Sequence, residues 1–229
     1  MNSARAWLLF TRVGEAQMLL PAMAAALAWL WLSPESRALA KAWVGAGLLV
    51  TAVTTASKVG FIGYELGAAA IDFTGFSGHS MFAALILPVL ARIAAGRAAA
   101  PWPRIAVALG YALAAAIAYS RIVTQAHSTS EAWSGLALGG AASAWSLLAT
   151  RAPVAGPPAW LLAVLLAWML AMPVGAPPSR THDWVTAISL ELSGRAAPYT
   201  RHKMHRDAAA QRRRTSPSAS GEHQLRLAA

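Results

Sequence analysis

Two short polar clusters interrupt an otherwise apolar chain: Phe76-Ser77-Gly78-His79, and the run from Ser120 through Arg121 and His127 to Glu131. Each lies where an apolar stretch meets water, the place where a membrane protein does chemistry on a charged substrate. A histidine four residues before a glutamate on a helix shares a face with it. Glu131 is therefore placed to accept a hydrogen bond from one ring nitrogen of His127 and leave the other free to attack. Arg121, one loop away, offers planar donors for an anion, and phosphate suits guanidinium geometry best. His79 follows Ser77-Gly78 at the expected start of a helix, where first-turn N–H groups and the helix dipole cradle phosphate. Gly78 lets the backbone approach that anion closely, and Lys58 closes an apolar window on the same side of the sequence.

The elements that must bring these groups together are apolar windows at about 16–32, 42–62, 79–95, 105–119, 132–149 and 157–173. The expectation is an all-α, polytopic membrane bundle of about six helices. Several windows are shorter than the roughly 20 residues a spanning helix needs, so their ends run into the loops or surround a water-accessible site. Small residues dominate, as from Ala112 to Ala118 and from Gly135 to Ala144, which lets membrane helices pack closely. The first window contains small-x-small patterns between Ala22 and Ala28 but continues through Trp29 to Leu32, so it is expected to be a retained helix. Tryptophans 29, 31, 43, 102, 133 and 160 fall near window ends, where an indole anchors at the headgroups.

Composition agrees. Of 229 residues, 57% are hydrophobic and 12% charged, with the charges bunched, the profile of a membrane protein rather than a soluble domain. No cysteine is present, which excludes disulfides, thiolate metal sites and a cysteine nucleophile. The net charge of +10 does not point to nucleic acid, because much of the excess follows residue 194, beside membrane, where anionic lipid headgroups are the nearer partner.

With these residues in view, the chain resembles the type 2 phosphatidic acid phosphatase superfamily, the lipid phosphate phosphatases related to vanadium haloperoxidases. That family has three motifs, KxxxxxxRP, PSGH and SRxxxxxHxxxD. The third is matched from Ser120 to Glu131 at full spacing, with Glu for Asp; the second from Ser77 to His79, with Phe76 for Pro. Of the first, Lys58 is present, but Glu65 and Leu66 stand at the Arg-Pro positions.

The resemblance implies a phosphatase acting on a lipid phosphate or polyprenyl diphosphate. His127 would be the nucleophile that forms a phosphohistidine, Glu131 would hold its tautomer, and His79 would be the general acid and base; Lys58, Ser77, Gly78 and Arg121 would bind phosphate. No cofactor and no metal are expected. The other readings are a non-catalytic protein that binds or moves an anionic lipid, and a lipid-linked phosphotransferase. Taken singly, His127 with Glu131 reads as a structural pair, Ser77 as a helix cap and Lys58 as a snorkelling lysine. Asp72 and Glu65, in the loop between the first two motifs, are expected to pair with nearby cations.

Two segments are expected, a membrane-embedded helical domain over 1–174 and a tail over 175–229. In the tail, Trp184, Val185, Ile188 and Leu192 share a helical face that starts after a Thr181 or Asp183 cap and stops at Gly194, which suggests a surface helix. The basic stretch beyond it, with Arg201, Lys203, Arg206 and Arg212 to Arg214, has little to bury and is expected to be disordered. Arg37, Lys41, Arg92, Arg97, Arg104 and Arg151 lie in loops opposite the polar clusters. By the positive-inside rule the site is expected outside the cytoplasm, facing the periplasm if the membrane is a bacterial inner membrane, while the basic tail argues for the other orientation.

Overall fold

The computed structural model describes residues 3–150, 154–175 and 179–215. Every regular element among them is helical: α1 Ser3–Arg12, α2 Ala16–Leu32, α3 Arg37–Tyr64, α4 Gly78–Ala95, α5 Trp102–Val123, α6 Thr129–Thr150, α7 Ala159–Gly175, α8 Thr181–Ser193 and α9 Arg201–Thr215. The apolar windows correspond to α2 through α7, and the chain is an all-α bundle. Four stretches, Ala6–Leu32, Pro34–Tyr64, Gly78–Ala95 and Trp102–Val123, are long and apolar enough to cross a membrane, and α7 is a shorter apolar helix. Of six expected crossings, length and hydropathy thus support the first four. Helix α6 spans 22 residues, but Ser143 and Ser146 are buried inward and give it a mixed composition.

At the centre, α4 packs between α5 and α6. A Cβ on Gly139 would lie 2.0 Å from the Met81 carbonyl oxygen, and one on Gly135 would lie 2.6 Å from that of Ser77. Only glycine lets the backbone of α6 lie this close to α4, so the Gly/Ala-rich composition is a packing device. Pro88 inside α4 has no N–H to give the carbonyl four residues earlier. The Ser143 hydroxyl of α6 supplies the donor instead, 2.7 Å from the Ala84 oxygen. One residue on, the Trp43 indole N–H donates to the Leu85 oxygen at 3.0 Å. Trp43 is fully buried in the main core with Met81, Leu85 and Ile86. It is a core residue, unlike the headgroup anchor its position near a window end suggests, because its N–H finds a carbonyl inside the bundle. Trp31, Trp102, Trp133 and Trp160 remain exposed.

The tail departs most from expectation. Residues 201–215, read from composition as disordered, form α9; residues 216–229 lie outside the described residues. Helix α8 ends at Gly194 in the left-handed conformation, as the sequence suggests, but its N-cap is Arg180, without a side-chain capping bond, and not Thr181 or Asp183, which lie inside the helix. It docks on α3 through its small polar side: a Cβ on Gly63 would lie 2.9 Å from the Ser189 oxygen, and Tyr64 donates to the Leu192 carbonyl at 3.0 Å. Trp184, Ile188 and Leu192 point away and stay exposed, whereas Val185 turns inward. A second apolar cluster, Phe61, Ile62, Tyr199 and Met204, with Ala69 and Val185 against it, fastens the segment between α8 and α9 to the end of α3. The Tyr199 N–H donates to the Ile62 oxygen at 3.0 Å.

Candidate functional site

The end of the bundle where α3 and α5 finish and α4 and α6 begin carries all the residues singled out from sequence. Ser77 is the N-cap of α4, and its side chain accepts from the Ser80 N–H, so the capping reading is met. The Ser77 N–H donates to the Glu131 carbonyl at 3.1 Å, which ties the first turn of α4 to the first turn of α6. Gly78 and His79 open α4. A Cβ on Gly78 would meet nothing within 4 Å, so open space lies beside the backbone at this helix start.

His127 is in the loop before α6, not on a helix with Glu131. Its Nδ1 lies 2.7 Å from Glu131 Oε2, and a different device makes the pair. Ser128 and Glu131 form a reciprocal capping box, the Ser128 hydroxyl accepting from the Glu131 N–H and Glu131 Oε2 accepting from the Ser128 N–H, both at 3.3 Å. The box fixes the carboxylate over the loop that carries His127. Glu131 is fully buried, while His127 keeps 14% of its side chain exposed. With Nδ1 engaged by a carboxylate acceptor, Nε2 is the nitrogen left for an incoming group. Burial holds the imidazole below its ordinary pKa, against the opposing pull of Glu131.

A buried carboxylate needs more than one donor. The Thr74 N–H donates to Oε1 at 2.8 Å, and the Thr74 hydroxyl donates to the same oxygen. One guanidinium nitrogen of Arg201, from α9, lies 2.8 Å from each Glu131 oxygen. Its other nitrogen donates to the side chain of Asp72, whose second oxygen lies 2.6 Å from His205 Nε2. Asp72 and Glu65 do pair with cations, but these come from the tail. Glu65 accepts from Arg195 at 2.6 Å and from Lys203 at 3.4 Å, and the Arg195 contact holds its carboxyl below the usual carboxylate pKa.

Arg121 donates from one terminal nitrogen to the Thr11 hydroxyl at 3.0 Å, while its buried Nε has no hydrogen-bond partner among the described residues. The charges of Arg121, His127 and Lys58 all bear on His79, and those of Glu131, Arg121 and Arg201 bear on Lys58. Six ionisable side chains from five parts of the chain thus share one neighbourhood. The break between α1 and α2 lies over it, since a Cβ on Gly14 would be 3.7 Å from His79 Cβ. Among the described residues no group of three His, Cys, Asp or Glu side chains is arranged as metal ligands would be.

Thr74 and Arg201 are the members that the sequence reading missed. Thr74 acts as much through its backbone as through its side chain, and Arg201 lies 70 residues from its partner. The available signal was indirect: two loop carboxylates, Asp72 and Glu65, with no cation between Lys58 and Arg92, and a tail with a surplus of arginine.

The model of the PAP2 superfamily matches residues 61–155, a range that contains His79, Arg121, His127 and Glu131. An "Uncharacterized 22.5 kDa protein in cps region" from Klebsiella pneumoniae is 36% identical over 212 residues, 88% of this chain and 99% of that protein. No solved structure matches. Taken with the second and third motifs, these matches place the chain in the PAP2 superfamily, that of the type 2 phosphatidic acid phosphatases.

Proposed function

We propose that the protein is a membrane phosphatase that hydrolyses a lipid phosphate or polyprenyl diphosphate through a phosphohistidine on His127. Family membership supports an enzyme with phosphatase-type chemistry on phosphate esters, and the apolar helices support membrane integration. The observation that carries the finer reading is the His127–Glu131 pair, in which Nδ1 is held at 2.7 Å and Nε2 is the nitrogen left to attack. Beside it are the helix start at Gly78 with open space and the unpartnered Arg121 Nε.

In the first step His127 Nε2 attacks phosphorus and the bond to the leaving oxygen breaks. His79 gives that oxygen its proton, and Glu131 stabilises the imidazolium that develops. In the second step His79 takes a proton from water, the water oxygen attacks phosphorus, and the phosphorus–nitrogen bond breaks to release phosphate. Lys58, Arg121 and the Ser77-Gly78 turn hold the equatorial oxygens and offset the charge that shifts onto them.

An apolar groove of about 640 Å³ runs between α2, α4, α5 and α7, lined by Ala22, Leu87, Leu109, Leu113, Leu165 and Met169 among others. Leu113 is eight residues before Arg121, about 12 Å along the helix. Its lining also takes in Ala95, Ala98 and Trp102 at the opposite end of the bundle and includes none of the site residues, so the groove is not part of the phosphate site.

The test is phosphate release from phosphatidate in detergent micelles. Activity is expected to survive chelators and to be inhibited by vanadate, which takes up five-coordinate geometry on a histidine nitrogen. Rapid quench of the His79→Ala variant with labelled substrate should trap an acid-labile, base-stable phosphoprotein. Loss of activity on chelation with recovery on adding a divalent ion would overturn the histidine mechanism. For the periplasmic placement, a cysteine introduced near Gly96 should be labelled only from the cytoplasm and one near Ser128 only from outside; the reverse pattern would refute it. Arg151, one of the cations used to infer that orientation, lies outside the described residues.

A further inference from the structure

We infer that Arg201, on the C-terminal helix α9, is a positioning residue of the active site, holding Glu131 ionised and oriented toward His127. This rests on the reading of His127 as the nucleophile and adds a group that the motifs do not contain.

The contacts are specific. One nitrogen of Arg201 lies 2.8 Å from both oxygens of a fully buried carboxylate. The same nitrogen is 3.5 Å from the Thr74 hydroxyl, and the opposite nitrogen binds Asp72. The Asp72 side chain sets the fork, and the fork sets Glu131. Around the pair stand Lys58 on α3, His79 on α4, Arg121 on α5, Asp72 and Thr74 on the loop before α4, and His205 on α9. Arg201 is the cation in this group that makes a direct ion pair with Glu131.

The placement of Arg201 is built into the chain by Glu65. That residue stands where the family motif has arginine, caps α3 in the left-handed conformation and accepts from Arg195 and Lys203 on either side of the tail's turn. Met204 seats against Gly67, where a Cβ would come within 2.7 Å of its sulfur. Glu65 thus acts as the mooring of a strap, and the strap brings in the arginine. A cation on the far side of Glu131 opposes protonation of both members of the pair. It also restrains the carboxylate, so that Nδ1 of His127 keeps its proton and Nε2 its lone pair.

The experiment uses the full chain in detergent, with two readouts: histidine-selective NMR titration of His127, and the pH dependence of phosphate release from phosphatidate. Arg201→Gln should raise the pH at which His127 titrates and move the acid limb of kcat the same way. It should lower kcat tenfold or more while leaving KM within a factor of two. Arg201→Lys should recover part of both effects, and Asp72→Asn, which loosens the fork from behind, should give a smaller shift of the same sign. An unchanged His127 titration in folded Arg201→Gln would overturn the proposal, as would a change in KM alone. If Arg201→Gln does not fold, the Arg201→Lys and Asp72→Asn titrations decide the matter. A shifted titration in a protein whose wild type releases no phosphate would uphold the role of Arg201 and refute the phosphatase reading; activity that survives His127→Ala would likewise count only against that reading.

Discussion

The two ends of the bundle use the same kinds of charged side chain in opposite ways. At the far end, Arg97 and Glu35 pair at 2.8 Å with 67% and 54% of their side chains exposed, and Arg92 and Arg37 donate to the carbonyls of Gly96 and Trp31. At the site end, Glu131 is wholly buried and shared among His127, Thr74, Ser128 and Arg201. In water a charge pair gains little because solvent competes for both partners. Inside, each donor removed leaves a desolvated carboxylate less satisfied. Concentrating charge in this costly way is a mark of function, not of stability.

The largest test of that contrast is at the site. His127→Ala should abolish phosphate release while leaving lipid binding nearly intact, and His79→Ala should slow turnover on the order of a hundredfold or more. Glu131→Gln should lie between, because it keeps an acceptor and loses the charge. Steady-state rates with phosphatidate, beside a vesicle-binding assay, check the series; equal effects of all three on binding would show that the site is structural. Next in size is pH. Burial lowers the pKa of His127, so the imidazole remains neutral and nucleophilic as pH falls past its ordinary value of about 6.5. The acid limb of kcat attributable to it should lie below that value, and a limb above it would contradict the assignment. Smallest is the far end, where Arg97→Ala should change stability by less than about 1 kcal/mol and leave kcat unchanged; a thermal melt in detergent and the same assay would show it.

What the sequence made legible divides along the same line. Windows of hydrophobicity are local, so α2 and α4 were readable nearly to the residue and α3 and α5 to within about five, and motif spacing singled out His79, Arg121, His127 and Glu131. The His127–Glu131 contact was anticipated for a reason that the fold replaces, since a capping box and not a shared helical face makes it. Trp43 looked interfacial because hydropathy says nothing about an acceptor inside the bundle 42 residues away, the Leu85 carbonyl. Helix α9 was illegible because its residues are polar on nearly every side; what orders it are partners on α3 and the loop before α4, which no window around residue 201 contains.

The repair of Pro88 by Ser143 bears on how the chain is assembled. While α4 is alone in a bilayer, the Ala84 carbonyl has no donor in its own helix, and lipid offers none. The hydroxyl that serves it belongs to a segment synthesised some 50 residues later. A nascent chain is therefore left with an open acceptor until α6 arrives, and Gly135 and Gly139 allow it to arrive at backbone distance. The contact lies about two turns into α4, along the same α4–α6 seam whose start is tied by the Ser77 N–H to the Glu131 carbonyl.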